Sequence, residues 1–292
     1  MNSPEKYKHM RGLVAFLLAS AFAFVTCAAE GVLEYPFVGT YKREAAQGMA
    51  IYKDSAFLFN NTGIVRLYNL KTKAFISEFL LDTAAPENHS NCALFGVEFP
   101  EGNHAYPALY VSECYGQRRC FVHDVSAAGA KLIQTLQIRG GGTEDKAFDW
   151  YVDKEKKFLY AIAISRETSA KDNTRDYLIT KLPLPTLAQG DVTFTKKDFI
   201  EQFTITFRHL SQGGVIRGDY LYMPVGRQIP ADPKKDPKDR AVFLVNLRTK
   251  QIEKTIDLND SVPVEPEDAD FHGDKLMMYC GQSGGVWHVK GI

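Results

Sequence analysis

The sequence predicts an all-β fold, a five-bladed β-propeller of four-stranded antiparallel blades, closed by an N-terminal strand that completes the last blade. Three observations predict it. A unit recurs along the chain, its segments are short β-branched and aromatic runs bounded by Gly, Asn and Asp, and its last copy is one strand short.

Residues 47–54 (QGMAIYKD), 212–219 (QGGVIRGD) and 267–274 (EDADFHGD) align without gaps, each opening on a polar residue and ending in an Asp turn. Each runs into a second apolar strand, at 56–59, 220–223 and 275–278. Weaker copies start near Asn91 and Asp149. A third strand follows, with residues 64–73 (IVRLYNLKTK) matching 242–250 (VFLVNLRTK), and 120–125 and 177–182 in the equivalent places. The fourth strand is read at 74–79, 131–136, 191–194 and 252–256. A four-stranded unit repeating at roughly 45–60 residues cannot bury both faces alone, so it stacks on its neighbours around an axis. The final copy has three strands before Ile292, and its fourth is placed around Tyr35–Tyr41 (YPFVGTY). Closure of this kind removes the open edge between first and last blades. A sixth blade would need another copy within 139–210, a span too short for it.

The Gln-Gly…Asp…Leu-Tyr spacing, followed by Val-Asn-Leu-Arg-Thr-Lys at 245–250, resembles the broad class of secreted bacterial propellers over nearly the whole mature chain. The resemblance implies architecture and carries over no subfamily activity. Blade-ending Trp-Asp pairs of the WD40 kind are absent, and Gln282-Ser-Gly-Gly-Val-Trp287 lacks the Asp of a sialidase Asp-box.

Lys6, Lys8 and Arg11 precede an uninterrupted apolar run, Gly12 to Val25, and the small-residue stretch Thr26-Cys27-Ala28-Ala29. This pattern is that of a signal peptide over 1–28, leaving one propeller domain at 29–292 and placing it in the periplasm, outside the cell or anchored at its surface. Lipidation at Cys27 is the sharper alternative, although Phe24-Val25-Thr26-Cys27 departs from the usual Leu-Ala-Gly-Cys. No later segment is long and apolar enough to span a bilayer. Lys+Arg and Asp+Glu balance at 35 each, which argues against a nucleic-acid partner. Of the remaining cysteines, Cys114 and Cys120 flank the turn 115–119, and a hairpin would set them opposite each other as a disulfide in an oxidising compartment. No CxxC or His-rich spacing suggests zinc.

Strand order turns loop lengths into geography. With strands A to D running outward, the D–A connections and B–C loops share one face, and the long B–C loops are 112–119, 165–176 and 226–240. Strand A also starts there, so Gln47, Asn91, Asp149, Gln212 and Glu267 are expected to ring the mouth of the central channel. Ligands favour concave sites with convergent polar groups. His89, Arg208 and His209 near strand starts are candidates to meet an anionic ligand such as an acidic sugar. Glu265, Glu267, Asp268 and Asp270 cluster at the last blade, either as calcium ligands, the one cofactor suggested, or as carboxylates bonded to nearby backbone. Asp149 and Glu267 across the channel are the pair a glycosidase would use. Gly-x-Ser-x-Gly, phosphate-loop and dinucleotide motifs are absent. Arg217-Gly218-Asp219 is read as an A–B turn rather than an adhesion signal. The expected activity is ligand binding on the loop-rich face, with a glycan or another envelope component as ligand and no identifiable reaction. The alternatives are a glycan-active hydrolase or lyase, and a protein-interaction scaffold.

Overall fold

The computed structural model describes residues 27–28, 30–35, 46–86, 88–102, 104–144, 147–165, 169, 174–226, 240–281 and 285–292. The chain opens with β1 (Cys27–Ala28) and β2 (Glu30–Tyr35). Blade 1 then holds β3 (Ala46–Tyr52), β4 (Ser55–Asn60), β5 (Ile64–Asn69) and β6 (Ala74–Leu80). Blade 2 holds β7 (Ala93–Phe95), β8 (Leu109–Ser112), β9 (Cys120–Ser126) and β10 (Gly129–Ile138). In blade 3, β11 (Ala147–Asp153), β12 (Phe158–Ile164) and β13 (Arg175–Pro183) precede β14 (Val192–Phe194) and β15 (Glu201–Phe207). Blade 4 comprises β16 (Val215–Arg217), β17 (Tyr220–Val225), β18 (Ala241–Asn246) and β19 (Gln251–Asp257). Blade 5 comprises β20 (Pro266–His272), β21 (Lys275–Cys280) and β22 (Val286–Lys290), completed by β2. The fold is an all-β propeller of five four-stranded antiparallel blades, as the repeat predicts.

Closure comes from slightly earlier in the chain than expected. β2 pairs antiparallel with β22, Gly31 opposite Val289 and Leu33 opposite Trp287, so only Tyr35 of the expected 35–41 segment takes part. The reason lies in Gly31, whose N–H donates to Ser261 Oγ at 2.9 Å. A Cβ there would stand 2.3 Å from Val262 Cγ2, so only glycine lets the strand lie this close to the 258–262 turn. Residues 36–41, and residues 1–26 of the signal-peptide reading over 1–28, lie outside the described residues.

Two further expectations are corrected. Residues 191–194 do not supply blade 3's fourth strand. β14 lies parallel on β10 as a fifth strand of blade 2, and β15 completes blade 3 against β13. A parallel pairing also adds β1 to the outer edge of blade 4, against β19. Cys114 and Cys120 are not joined. The β8–β9 register sets Ser112 opposite Cys120, and the chain then turns away so that the Cys114 N–H donates to Asn88 O at 2.8 Å. Cys114 packs with the blade 3–5 core and Cys120 with a separate cluster under Trp150. Both are buried thiols.

Burial falls from the axis outward, as radial stacking requires. β11 is buried along its whole length, whereas outermost β6 is mostly exposed. The tight A–B turns explain the repeat's seventh position: Gly218 and Gly273 adopt φ of 64° and 62°, and the equivalent Lys53 adopts 52°. Left-handed backbone is unfavourable for a residue with a Cβ. Lys53→Gly is therefore expected to raise stability by about 0.5–1 kcal/mol, the gain reduced by glycine's entropy, as read from denaturant unfolding. On that same face, polar pairs link successive blades: Lys156 to Asp219 at 2.5 Å, Arg217 to Asp274 at 2.9 Å and His272 to Asp54 at 3.0 Å. Both charges of the Arg217-Gly218-Asp219 tripeptide are thus engaged between blades. Exposed pairs of this kind contribute little each.

Candidate ligand-binding site

The strand starts meet at the axis. In the aligned repeats, the second position is Gly48 and Gly213 in blades 1 and 4 but Asp268 in blade 5. The carboxylate occupies the room that Gly213 leaves: a Cβ there would lie 2.1 Å from Asp268 Oδ1 and 2.6 Å from Asn91 O. Asp268 Oδ2 accepts from Met49 N–H of blade 1 at 2.7 Å and from Ala93 N–H of blade 2 at 3.0 Å, while Oδ1 accepts from Ala269 N–H at 2.8 Å. Four blades therefore meet at one side chain. Asp270 repeats the device one step along β20, accepting from Ile51 N–H at 2.8 Å and Phe271 N–H at 2.8 Å, with Lys154 Nζ 3.8 Å away. Burial pushes the Asp268 carboxyl well above its usual range, against the three N–H donors that favour its charged form. Among the described residues no cluster of three or more His, Cys, Asp or Glu is placed to hold a metal ion.

Above this hub a cavity of ≈ 320 Å³ opens among blades 2, 3 and 4. Its walls come from D–A connections (His89 and Asn91; Ala147; Leu210, Ser211 and Gln212) and from B–C loops or their ends (Cys114 and Tyr115; Ile164 and Ser165; Arg175). Tyr115, exposed at 40%, meets the His89 ring with centroids 4.9 Å apart. Burial lowers the His89 pKa, which favours the neutral imidazole. Arg175 carries the one formal charge among the described lining residues, and its Nη1 donates to Ser165 O at 3.2 Å. Ser211 Oγ is buried with no hydrogen-bond partner. Gln212 Nε2 donates to Gly226 O at 3.2 Å and to Glu265 Oε1 at 3.1 Å.

Of the residues singled out in the sequence, His89, Asn91 and Gln212 reach this cavity. Asp149 stands directly behind it, fully buried, its Oδ2 accepting from Asn91 Nδ2 at 2.9 Å. Gln47, Glu267 and Asp268 are buried and are not among the residues lining the cavity. Glu267 O accepts from Gly213 N–H at 2.7 Å, and burial beside Glu265 and Asp268 raises the Glu267 side-chain pKa well above its usual value. Asp149 and Glu267 are both buried, and neither is among the residues lining this cavity. Arg208 is exposed outside the cavity, and His209 turns its ring edge-on to Phe243 with centroids 5.1 Å apart. The cation that does reach the cavity is Arg175. It and Tyr115 were individually missed, although both lie in the long B–C segments 165–176 and 112–119, which loop geography already picks out.

Fold and site together define a five-bladed propeller with a small cavity on its loop-rich face. Among solved structures the chain is similar to glutaminyl cyclase of Myxococcus xanthus, at 12% identity over 90% of this chain and 96% of that one, with a TM-score of 0.51. It also matches AztD from Citrobacter koseri, at 14% identity over 73% of this chain and 47% of that one, with a TM-score of 0.33. The first likeness is one of fold. No protein-family model matches the chain, and no curated protein matches it in sequence. No helix among the described residues is long and apolar enough to cross a membrane.

Proposed function

We propose that this chain is an exported ligand-binding propeller whose cavity takes the acidic sugar unit of a glycan. The observation that carries the reading is the pairing of Arg175 on one wall with the exposed Tyr115 ring on another, over a volume of ≈ 320 Å³. A guanidinium matches a carboxylate in charge and geometry. An aromatic face suits the C–H face of a sugar ring, and Asn91, Ser211 and Gln212 supply groups for its hydroxyls. The volume is at the small end of ligand pockets, which fits a monosaccharide unit rather than a long chain. Export rests on the Lys6–Arg11 charges and the Gly12–Val25 apolar run. No carboxylate is among the described lining residues, which favours binding over hydrolysis.

The test is a glycan array probed with residues 30–292, with product analysis of each glycan bound. Acidic glycans are expected to bind without turnover, and Arg175→Ala is expected to weaken that binding about 10- to 100-fold, as the loss of a charge-assisted pair does. Cleavage of the bound glycan would replace this reading with the hydrolase or lyase. An array without signal would transfer it to a protein partner.

A further inference from the structure

Asn91 lines the cavity, but its amide is held from behind. Its Nδ2 donates to Asp149 Oδ2 at 2.9 Å, which leaves Asn91 Oδ1 as the acceptor not engaged by that bond. Asp149 itself is 0% exposed, and its second oxygen, Oδ1, has no hydrogen-bond partner. An ionised carboxylate in that position would bury a full charge with the one bond from Asn91 to stabilise it and Oδ1 unpaired, a larger cost than leaving a neutral O–H unpaired. A carboxyl group protonated on Oδ1 keeps the bond from Asn91 and removes the charge.

Resting on the reading of the cavity as a site for an anionic ligand, we propose that Asp149 is a proton-holding positioning residue: it fixes the Asn91 amide, and its ionisation turns the cavity against anions. The surroundings support this. The titratable groups that interact with Asp149 are the Cys92 thiol of blade 2 and the Tyr151 phenol on its own strand, both buried and neither cationic, and the Asp268 carboxyl of blade 5 bears on that same thiol and phenol. The Cys92 thiol instead faces Gly214 O of blade 4 at 3.7 Å. On the cavity side stand His89 and Arg175. Burial pushes the Asp149 pKa up to about 7, and the bond from Asn91 opposes the rise. Because this exceeds the usual carboxylate value of 3.8, the folded chain holds the proton more tightly than the unfolded one. The resulting stability is fully present in acid and is lost as pH rises from about 4 to about 7.

The experiment follows two readouts across pH 5.5 to 8.5 in wild type and Asp149→Asn, which copies the protonated carboxyl in shape and charge. The first is the side-chain amide NMR signal of Asn91 in the ligand-free protein. It is expected to shift with a midpoint near 7 in wild type and to stay still in Asp149→Asn. The second is the affinity for D-glucuronate as probe, expected to fall about tenfold across the range in wild type and to hold constant in the variant. A pH-invariant Asn91 signal in wild type overturns the proposal. So does an identical pH profile of affinity in both proteins, which would point to His89 instead. Glucuronate failing to bind at every pH while Asn91 titrates would remove the acidic-sugar reading and leave the proton site standing. Should the variant not fold, the wild-type NMR titration of the Asn91 amide still decides the matter.

Discussion

Asp268→Ala is expected to lower the unfolding free energy by about 4 kcal/mol, read as a shift of the denaturant midpoint with an unchanged slope. Three buried N–H groups, those of Met49, Ala93 and Ala269, lose their acceptor at once. Each orphaned buried donor costs about 1–3 kcal/mol. Relief of burying a carboxylate offsets part of the sum, since replacing ionic groups removes a desolvation penalty. Asp268→Asn separates the two contributions. Turned with its oxygen toward Met49 and Ala93, the amide keeps two acceptor bonds and loses the one to Ala269, so a smaller loss of about 1–2 kcal/mol is expected. If Asp268→Ala costs less than Asp268→Asn, the carboxylate is not the link between blades that its geometry makes it. A third substitution approaches the same hub from blade 4. Gly213→Ala drives a methyl into Asp268 Oδ1 and Asn91 O, and its cost is expected to be non-additive with that of Asp268→Ala, which vacates the space.

The hub also shows why sequence reveals so much of this architecture and so little of its chemistry. The repeat is periodic because each blade meets the same demands, and the turn at Gly218 and Gly273 leaves its mark wherever the chain must go left-handed. Blade number and closure follow from that periodicity alone. What fails is assignment among segments of similar composition. Val192–Phe194 is as strand-like as any fourth strand, yet Glu201–Phe207 carries the cleaner alternation, with Ile205 and Phe207 inward and Gln202, Thr204 and Thr206 outward. Phe203, on the inward side, is only partly buried, as expected of an outer strand. Period-2 alternation therefore finds β15 where apolar content alone does not. At the site, the strand-start polar residues were legible, but their roles were not. Asp268 and Asn91 are equally polar on paper. Only the fold turns one toward backbone donors of neighbouring blades and the other toward a cavity. Arg175 had no signal beyond its place at the end of a long loop, because the other walls of the cavity come from residues 89–115 and 210–212, far away in sequence.

The seam between first and last blades is the second place where a large effect is expected. A protein beginning at residue 36 lacks β2 and is expected to lose more than about 5 kcal/mol, comparable to the whole stability of many domains, and to show no cooperative thermal transition. β22 would lose the ladder running from Glu30 opposite Lys290 to Tyr35 opposite Val286, exposing its backbone groups as an open edge. The blade 5–blade 1 core would lose the buried Tyr35, which packs in one cluster with Met49, Met277 and Val286. Glu34 would no longer meet Lys275 at 3.2 Å and His288 at 3.1 Å, although such partly exposed pairs are the smallest part of the loss. A protein beginning at residue 30 is the informative comparison. Among the described residues it gives up only the two-residue parallel pairing of Cys27 and Ala28 with Ile256 and Asp257, so a change of about 1 kcal/mol or less is expected. The contrast discriminates between two ways of holding a ring. If the strand closes it, the two start points differ sharply in calorimetry. If face-to-face packing of blades 5 and 1 suffices, both proteins melt together, and Gly31, whose missing Cβ admits β2 beside Val262, could be replaced without consequence.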